Sequence, residues 1–500
     1  MTASVALRAE RSFSPAAVSG VIVAGLTLVG LALRVAGLDD SLYGDELYTY
    51  EVSGREGLDD VVSGVAGDIE ISPPLYFVFA WATAKLGDPQ AWLRVPSFLA
   101  GVAAIPVVYL LGSRTVGLRA AVVGAALLAL SPFAIAYSVE ARPYALTLLL
   151  TALSTLALLA AVYKGRPHQW ALFALASWAA LMSHYTAIFP LAAQAAWAVW
   201  AHREHLRPLA VAHAAIGAGL LPWLPSFLAD RDADFQSAIE TVWPFTLSFF
   251  LRSLAGGVVG NSYVGLREVP GEAALALLAG GLLLALPGAS RAISLLRRRD
   301  SALILMIALA APVGAALYSL FFSSVFVPRT LLPSLPALCL VLGLFLTAGP
   351  RLLSAAAVAF VIVAMALGAA RVVAWNPKPP FGAVADEIEA RSQPGDPVLE
   401  YVLDFGSLDT ELEPPFLLYR DPCRDPATAP LQNVRGELGC TGRAGGFARA
   451  ARRPARRLFL VVHAGARPSF SEVDRRWRLQ EATRFDNHFY PLEVLEYAPR

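Results

Sequence analysis

Two adjacent acids, Asp45 and Glu46, sit in the stretch "SLYGDELYTY", a few residues after a long apolar run. A carboxylate so placed can take a proton from a hydroxyl, the work of a general base. Four further ionisable residues share that setting at the edge of apolar runs: Glu140 and Arg142 in "SVEARP", His184 in "SHYT", and Arg329 in "FVPRT". A guanidinium suits a phosphate oxyanion because its planar fork donates two parallel hydrogen bonds. Ionisable groups close to lipid are costly and are more often functional than decorative. Each also has a plain structural reading. Glu140 and Arg142 suit a helix-end anchor, Arg329 can extend its guanidinium to the headgroups, and His184 can be a hydrogen-bonded helix-end histidine.

The elements that must carry these residues are membrane-spanning. The chain has 500 residues, 56% hydrophobic and 16% charged, with a mean hydropathy of +0.55, against about 25% charged in soluble domains. The net charge of +1 gives no basic surface for nucleic acid. A spanning helix takes about 20 apolar residues. Eleven runs qualify: 16–36, 91–111, 120–138, 144–162, 169–183, 186–201, 209–228, 272–290, 301–322, 331–348 and 352–371. The first reads as a signal anchor. Compact loops bearing Arg114 and Arg119, Lys164 and Arg166, Arg203 and Arg207, Arg297 to Arg299, and Arg351 alternate with acid-richer ones. Positive loops face the cytoplasm, so the pattern predicts a cytoplasmic N-terminus and an external C-terminus. All the candidate residues then lie on the external face. Residues 169–201 are divided at "MSHYTA" into two short helices, since a single bent helix would put the arginine triplet outside.

Residues 37–90 read as one large external loop with interfacial helices, because "PPLYFVFAWATAKLG" (73–87) is too short to span. "TVWPFTLSFFLRSL" (241–254) reads as a second interfacial piece. The membrane module is taken as residues 1–372. Residues 373–500 turn polar, with strand-like runs "PVLEYVLDF" and "RRLFLVVHAG", and form a small external α/β or α+β domain. Cys423 and Cys440 both fall there, where an oxidising compartment favours a disulfide; two unpaired thiols are the alternative. Cys339 reads as a buried apolar residue.

The order of the motifs resembles the C-superfamily (GT-C) membrane glycosyltransferases, in particular bacterial relatives of the protein O-mannosyltransferases and of the lipid A aminoarabinose transferase. The matching pieces are "GDE", "ISPPLYF", "WLRVPSFLAGVAAIPVVYLLGSRTVG", "SPFAIAYSVEARPYAL", "SHYTAIFPL" and "FVPRTLLPSLPAL". "AWNPKPPFGAVADEIEARSQPGDPVLEY" matches the start of the family's external domain. The resemblance covers roughly residues 20–400. It implies an α-helical polytopic enzyme of the cell envelope. Such an enzyme moves a sugar from a polyprenyl-phosphate carrier to a protein, lipid or glycan acceptor on the outer face, with inversion.

On that resemblance Asp45 is the general base and Glu46 a supporting residue or acceptor contact. Arg142 and Arg329 stabilise the leaving phosphate. Glu140 and His184 orient Asp45 or the sugar hydroxyls, and Tyr43, Tyr48 and Tyr76 offer rings to the sugar. Asp45 is then expected to face a cavity shared with Glu140 or Arg142 and with Arg329. The aminoarabinose transferases carry a lysine where Ser72 stands here, which removes that phosphate contact. Asp45, Asp68 and Glu70 could hold a divalent cation, but without a tight D-x-D the expectation is no metal and no cofactor. Two other readings stand beside this one: a polyprenyl-linked glycan ligase or polymerase, which places its working loop between late spans, and a lipid or glycan transporter. The transporter reading calls for charges at mid-bilayer depth and repeated halves, whereas the spans have few mid-helix charges and no repeat.

Overall fold

The computed structural model describes residues 14–67, 72–232, 244–262, 264–375, 378–393, 395–401, 417–420, 452, 454–466, 471–488 and 490–500. Among them, eight helices are long and apolar enough to cross a membrane, or nine if the bent pair Leu118–Leu130 and Pro132–Ser138 counts as one span. The chain is a multi-pass membrane protein. All eleven sequence runs are helical. They include α1 (Pro15–Val35), α6 (Val95–Thr115), α7 (Leu118–Leu130), α8 (Pro132–Ser138), α9 (Tyr144–Lys164), α10 (Pro167–Ser183) and α11 (Ile188–Ala201). The last two are shorter than a full span.

Whether the chain reverses between α10 and α11 decides the sidedness of everything downstream. In α9, the Ser154 hydroxyl lies 2.8 Å from that of Ser177 in α10 and donates to Gln194 Oε1 in α11 at 2.9 Å. Were α10 and α11 one continuous helix, residues 177 and 194 would stand about 25 Å apart. Both instead flank one serine, so the chain turns back at His184. The network also includes Thr155, which accepts from Gln194 Nε2 at 2.9 Å. Polar contacts of this kind join helices where no hydrophobic force between them exists.

Small residues let the central helices touch backbone to backbone. A Cβ on Gly343 would sit 2.5 Å from the carbonyl oxygen of Ala120, and one on Gly124 would sit 2.8 Å from Leu340 Cδ2. That contact seats α7 against the helix Leu335–Thr347, where Cys339 is buried as expected.

The break between α7 and α8, bent by 57°, has a local cause. Pro132 has no N–H to give the carbonyl four residues back, so Leu128 loses its helical partner. Ser131 caps the new helix by accepting from Ala134 N. The exposed carbonyls of Leu128 and Ala129 accept from the guanidinium of Arg34, which also donates to Ser138 Oγ at 3.0 Å. Arg34 is fully buried, an arrangement that unsatisfied backbone in lipid requires.

The two ends of the bundle differ in character. At one end Ser301 Oγ donates to Thr115 O and Trp197 Nε1 donates to Arg299 O, at 2.8 and 2.7 Å. Tyr163 donates to Asp300 and its ring meets that of His202 at 5.5 Å, so the basic loops near residues 114, 164, 203 and 299 gather together. The opposite end carries α2 (Glu46–Ser53), α3 (Leu58–Gly67), α4 (Leu75–Ala84) and α5 (Pro89–Trp92). At ten residues α4 stops short of a span, as does the helix Leu247–Val259.

Beyond the last long helix, Arg351–Trp375, a five-stranded sheet runs β2-β1-β3-β5-β4. Its strands are β1 (Pro397–Tyr401), β2 (Leu417–Arg420), β3 (Leu458–His463), β4 (Trp477–Phe485) and β5 (Leu492–Pro499). Strands β1, β2 and β3 are parallel, while β3, β5 and β4 are antiparallel. Alternation along β3 divides the core. Phe459 and Val461 meet Phe381, Val384 and Ile388 of the helix Phe381–Arg391, while Leu458, Leu460 and Val462 meet Trp477 and Leu495. Cys423 and Cys440 lie outside the described residues, as do Asp68 and Glu70.

Candidate active site

Asp45 occupies the N-cap position of α2, and Gly44 before it takes φ +61°. This left-handed turn is open to glycine at little cost and reverses the chain into the helix. The Arg329 guanidinium donates to Asp45 Oδ2 at 2.7 Å, with both side chains about a quarter exposed. Arg142 Nη1 donates to the Asp45 carbonyl at 3.4 Å. Residues 284 apart in the chain thus meet at one carboxylate. Pro328 opens the short 3-10 turn that presents Arg329, since its fixed φ and missing N–H suit a helix start.

Glu46 has a different job from its neighbour. It is fully buried and accepts from Arg94 Nε at 2.8 Å and Arg94 Nη2 at 2.9 Å, a bidentate pair. Lys378 Nζ adds a third donor at 2.9 Å, and the backbone N–H groups of Ala141 and Tyr43 add two more at 2.8 and 3.2 Å. Burial alone would raise its pKa, but Arg94 and Lys378 outweigh it and hold the carboxyl down at about 2. Five donors leave no room for a reacting proton. Of the two readings of Glu46, supporting residue or acceptor contact, these contacts match the first.

The irregular segment between α8 and α9 is fixed through the same residues. Ala141 donates its N–H to Glu46 and accepts from Thr49 Oγ1 at 2.7 Å, while Arg142 O accepts from Ser97 Oγ at 2.7 Å. Backbone outside regular structure and buried must find partners, and α2 and α6 supply them. The same bonds set where Glu140 and Arg142 stand.

Aromatic rings shape the floor. Arg329 lies over the Tyr144 ring, 5.5 Å from its centroid, and Arg142 lies over Phe77 at 5.7 Å. Tyr144 also meets Tyr137 at 5.1 Å and His184 at 5.3 Å. His184 Nδ1 accepts from Thr186 N at 3.2 Å. Burial, with Arg329 and Arg142 adding to it, lowers its pKa to about 3.

Tyr76 is fully buried and donates its hydroxyl to Leu93 O at 2.9 Å. Tyr43 leans on Tyr490 of the sheet domain, ring centroids 6.0 Å apart. Ser72, in the lysine's place, is buried.

A cleft of about 670 Å³, its open mouth included, lies beside this cluster. Glu46, Glu140, Asp40 and Lys378 give it polar walls, and Leu33, Ile135 and Val372 give it apolar ones. Glu140 lines it, while Asp45, Arg142 and Arg329 are not among its lining residues. Arg94 and Lys378 are the residues that sequence reasoning missed. Their signal was indirect: a buried acid next to lipid demands cations, and "WLRVPSF" and "NPKPP" each place one at the end of an apolar run.

Solved structures share this architecture. ArnT from Cupriavidus metallidurans, bound to undecaprenyl phosphate, matches over 96% of this chain and 98% of its own, at 15% identity and TM-score 0.58. Its apo state gives the same values. The chain has the fold of ArnT. Another similar structure is the archaeal oligosaccharyltransferase AglB from Archaeoglobus fulgidus, in complex with an inhibitory peptide and a dolichol-phosphate. It matches over 90% of this chain and 70% of its own, at 14% identity and TM-score 0.50. The family described as dolichyl-phosphate-mannose-protein mannosyltransferase matches residues 72–228, the part of the membrane module from α4 through α9, α10 and α11 and the helix that follows them. No curated protein sequence matches the chain.

Proposed function

We propose that this chain transfers a sugar from a polyprenyl-phosphate donor to a hydroxyl acceptor on the extracytoplasmic face, with inversion at the anomeric carbon. The observation that carries the proposal is the Asp45–Arg329 pair at 2.7 Å, a candidate base beside a candidate phosphate cation on a GT-C fold. Asp45 takes the proton of the acceptor hydroxyl as its oxygen bonds to the anomeric carbon. The bond from that carbon to the phosphate oxygen breaks, and the carrier phosphate leaves with the electron pair. Arg329, with Arg142 beside it, meets the charge that develops on the phosphate, where preorganised donors act most strongly. Arg329 has further N–H donors besides the one given to Asp45. It can therefore hold the phosphate while keeping the carboxylate in register.

The test is to supply membranes containing the protein with defined undecaprenyl-phosphate sugars and ask which one loses its sugar. With that donor, Arg329→Ala is expected to raise the donor KM and to lower kcat, by about tenfold to a hundredfold in kcat/KM, the worth of one charge-assisted hydrogen bond. Arg329→Lys restores part of the loss, since the charge returns without the fork. Unchanged donor KM in Arg329→Ala removes the guanidinium from the phosphate site.

The gathering of the basic loops at the end opposite Asp45 supports a cytoplasmic N-terminus and an extracytoplasmic sheet domain. A cysteine placed at Arg500 is expected to react with a membrane-impermeant maleimide in intact cells, and one placed at Arg298 only after lysis. The reverse pattern puts the candidate site on the cytoplasmic face and ends the proposal as written.

A further inference from the structure

The sheet domain reaches into the candidate site at three points. Ser41 Oγ accepts from Gly382 N at 2.8 Å, Tyr43 packs on the cluster of Phe381, Val384 and Phe485, and Glu46 accepts from Lys378 Nζ at 2.9 Å. All three contacts fall on the six residues that end in the Asp45–Glu46 pair. Lys378 itself is tied on both sides. Its carbonyl accepts from Asn487 Nδ2 at 2.8 Å, in the turn between β4 and β5, and its ammonium also donates to Val139 O at 3.2 Å. Its side chain is 13% exposed, against zero for the Glu46 carboxylate it meets. One residue therefore joins the sheet domain, the α8–α9 segment and the loop that carries the candidate base.

We propose that Lys378 is a positioning residue through which the C-terminal domain holds Asp45 in its reactive geometry; the role in turnover rests on the function proposed above. Arg94 and the Ala141 N–H anchor Glu46 to the bundle, since all three residues lie within the membrane module. Lys378 adds the attachment to the domain above it. Asp45 shares its peptide unit with Glu46, so a Glu46 carboxylate fixed from two sides restrains the backbone that places Asp45, whose side chain Arg329 then orients. A displacement of about 1 Å at a reacting group can cost up to a hundredfold in rate, which gives such an attachment consequences for chemistry.

The experiment uses the full chain in lipid nanodiscs, comparing wild type, Lys378→Met and Lys378→Arg. Lys378→Met is expected to speed amide hydrogen exchange over residues 41–47 by about tenfold or more, because local opening becomes easier, and Lys378→Arg to stay close to wild type. With an undecaprenyl-phosphate sugar that the wild-type protein turns over, Lys378→Met is expected to lower kcat about tenfold, with the donor KM within about twofold. Added to Asp45→Asn, it is expected to cost nothing more, since two changes acting through one group are not additive. Unchanged exchange over 41–47 overturns the attachment. A rise in donor KM with kcat intact makes Lys378 a donor contact instead, and a full additive loss in the double variant shows that it acts elsewhere than through Asp45. If Asp45→Asn alone keeps its turnover, the proposed function fails while the exchange result still decides the attachment.

Discussion

Asp45→Asn is expected to lower sugar transfer by 10² to 10⁴, roughly 3 to 5 kcal/mol in the barrier, while the protein stays folded. Asparagine keeps the shape of the side chain and its carbonyl still accepts from Arg329, so the geometry of the pair at 2.7 Å survives. What it cannot do is take a proton. The side chain is about a quarter exposed, so no buried charge is left behind. Donor KM is expected to stay within a few-fold, because the phosphate contacts belong to Arg329 and Arg142. Turnover is measured with the donor identified by the membrane assay, and the thermal midpoint in detergent reports the fold. Near-normal kcat in Asp45→Asn would falsify the assignment of the base. Glu46 does not then inherit the role, since its oxygens are already occupied.

Glu46→Gln is expected to damage the fold, in contrast with its neighbour. Arg94 is fully buried and loses its counter-charge, and the amide nitrogen of glutamine turns a donor toward donors. Breaking a buried pair by removing one partner costs about 3 to 5 kcal/mol. The pH dependence gives a second handle. The folded carboxyl titrates at about 2 against an ordinary 4.5. Its contribution is therefore fully present above about pH 4.5 and drains away as pH falls toward 2, in all about 3 kcal/mol at 1.36 kcal/mol per pH unit. Wild type is expected to lose thermal stability across that acid range more steeply than Glu46→Gln, which has nothing there to titrate. Adding Arg94→Gln to Glu46→Gln is expected to restore part of the midpoint, because one of the two cations that lost this counter-charge, Arg94 and Lys378, is then gone. A Glu46→Gln protein as stable as wild type, with the same acid limb, sinks the claim that this carboxylate holds the loop together.

The sequence by itself determined where the helices lie. Apolar runs of spanning length reflect a solvent that forbids unpaired backbone, so they can be read without knowing any contact. The same holds for the short α4, for the turn at His184, where parity of basic loops demanded a reversal, and for the strand runs at Pro397–Tyr401 and Leu458–His463. The motif order from "GDE" to "FVPRT" was enough to recognise the architecture and to name Asp45, Arg142 and Arg329. Tertiary structure alone decided what each of these residues touches. Asp45 and Glu46 are neighbours of one chemical type, and only packing makes one a partly exposed partner of Arg329 and the other a buried anchor held by five donors. Arg34 and Arg94 read as ordinary helix-end arginines until the broken α7–α8 helix and the Glu46 carboxylate give them their acceptors. Lys378 lies 332 residues from the acid it meets. No local pattern encodes a contact of that separation, because it exists only once the sheet domain has folded back onto the end of the bundle.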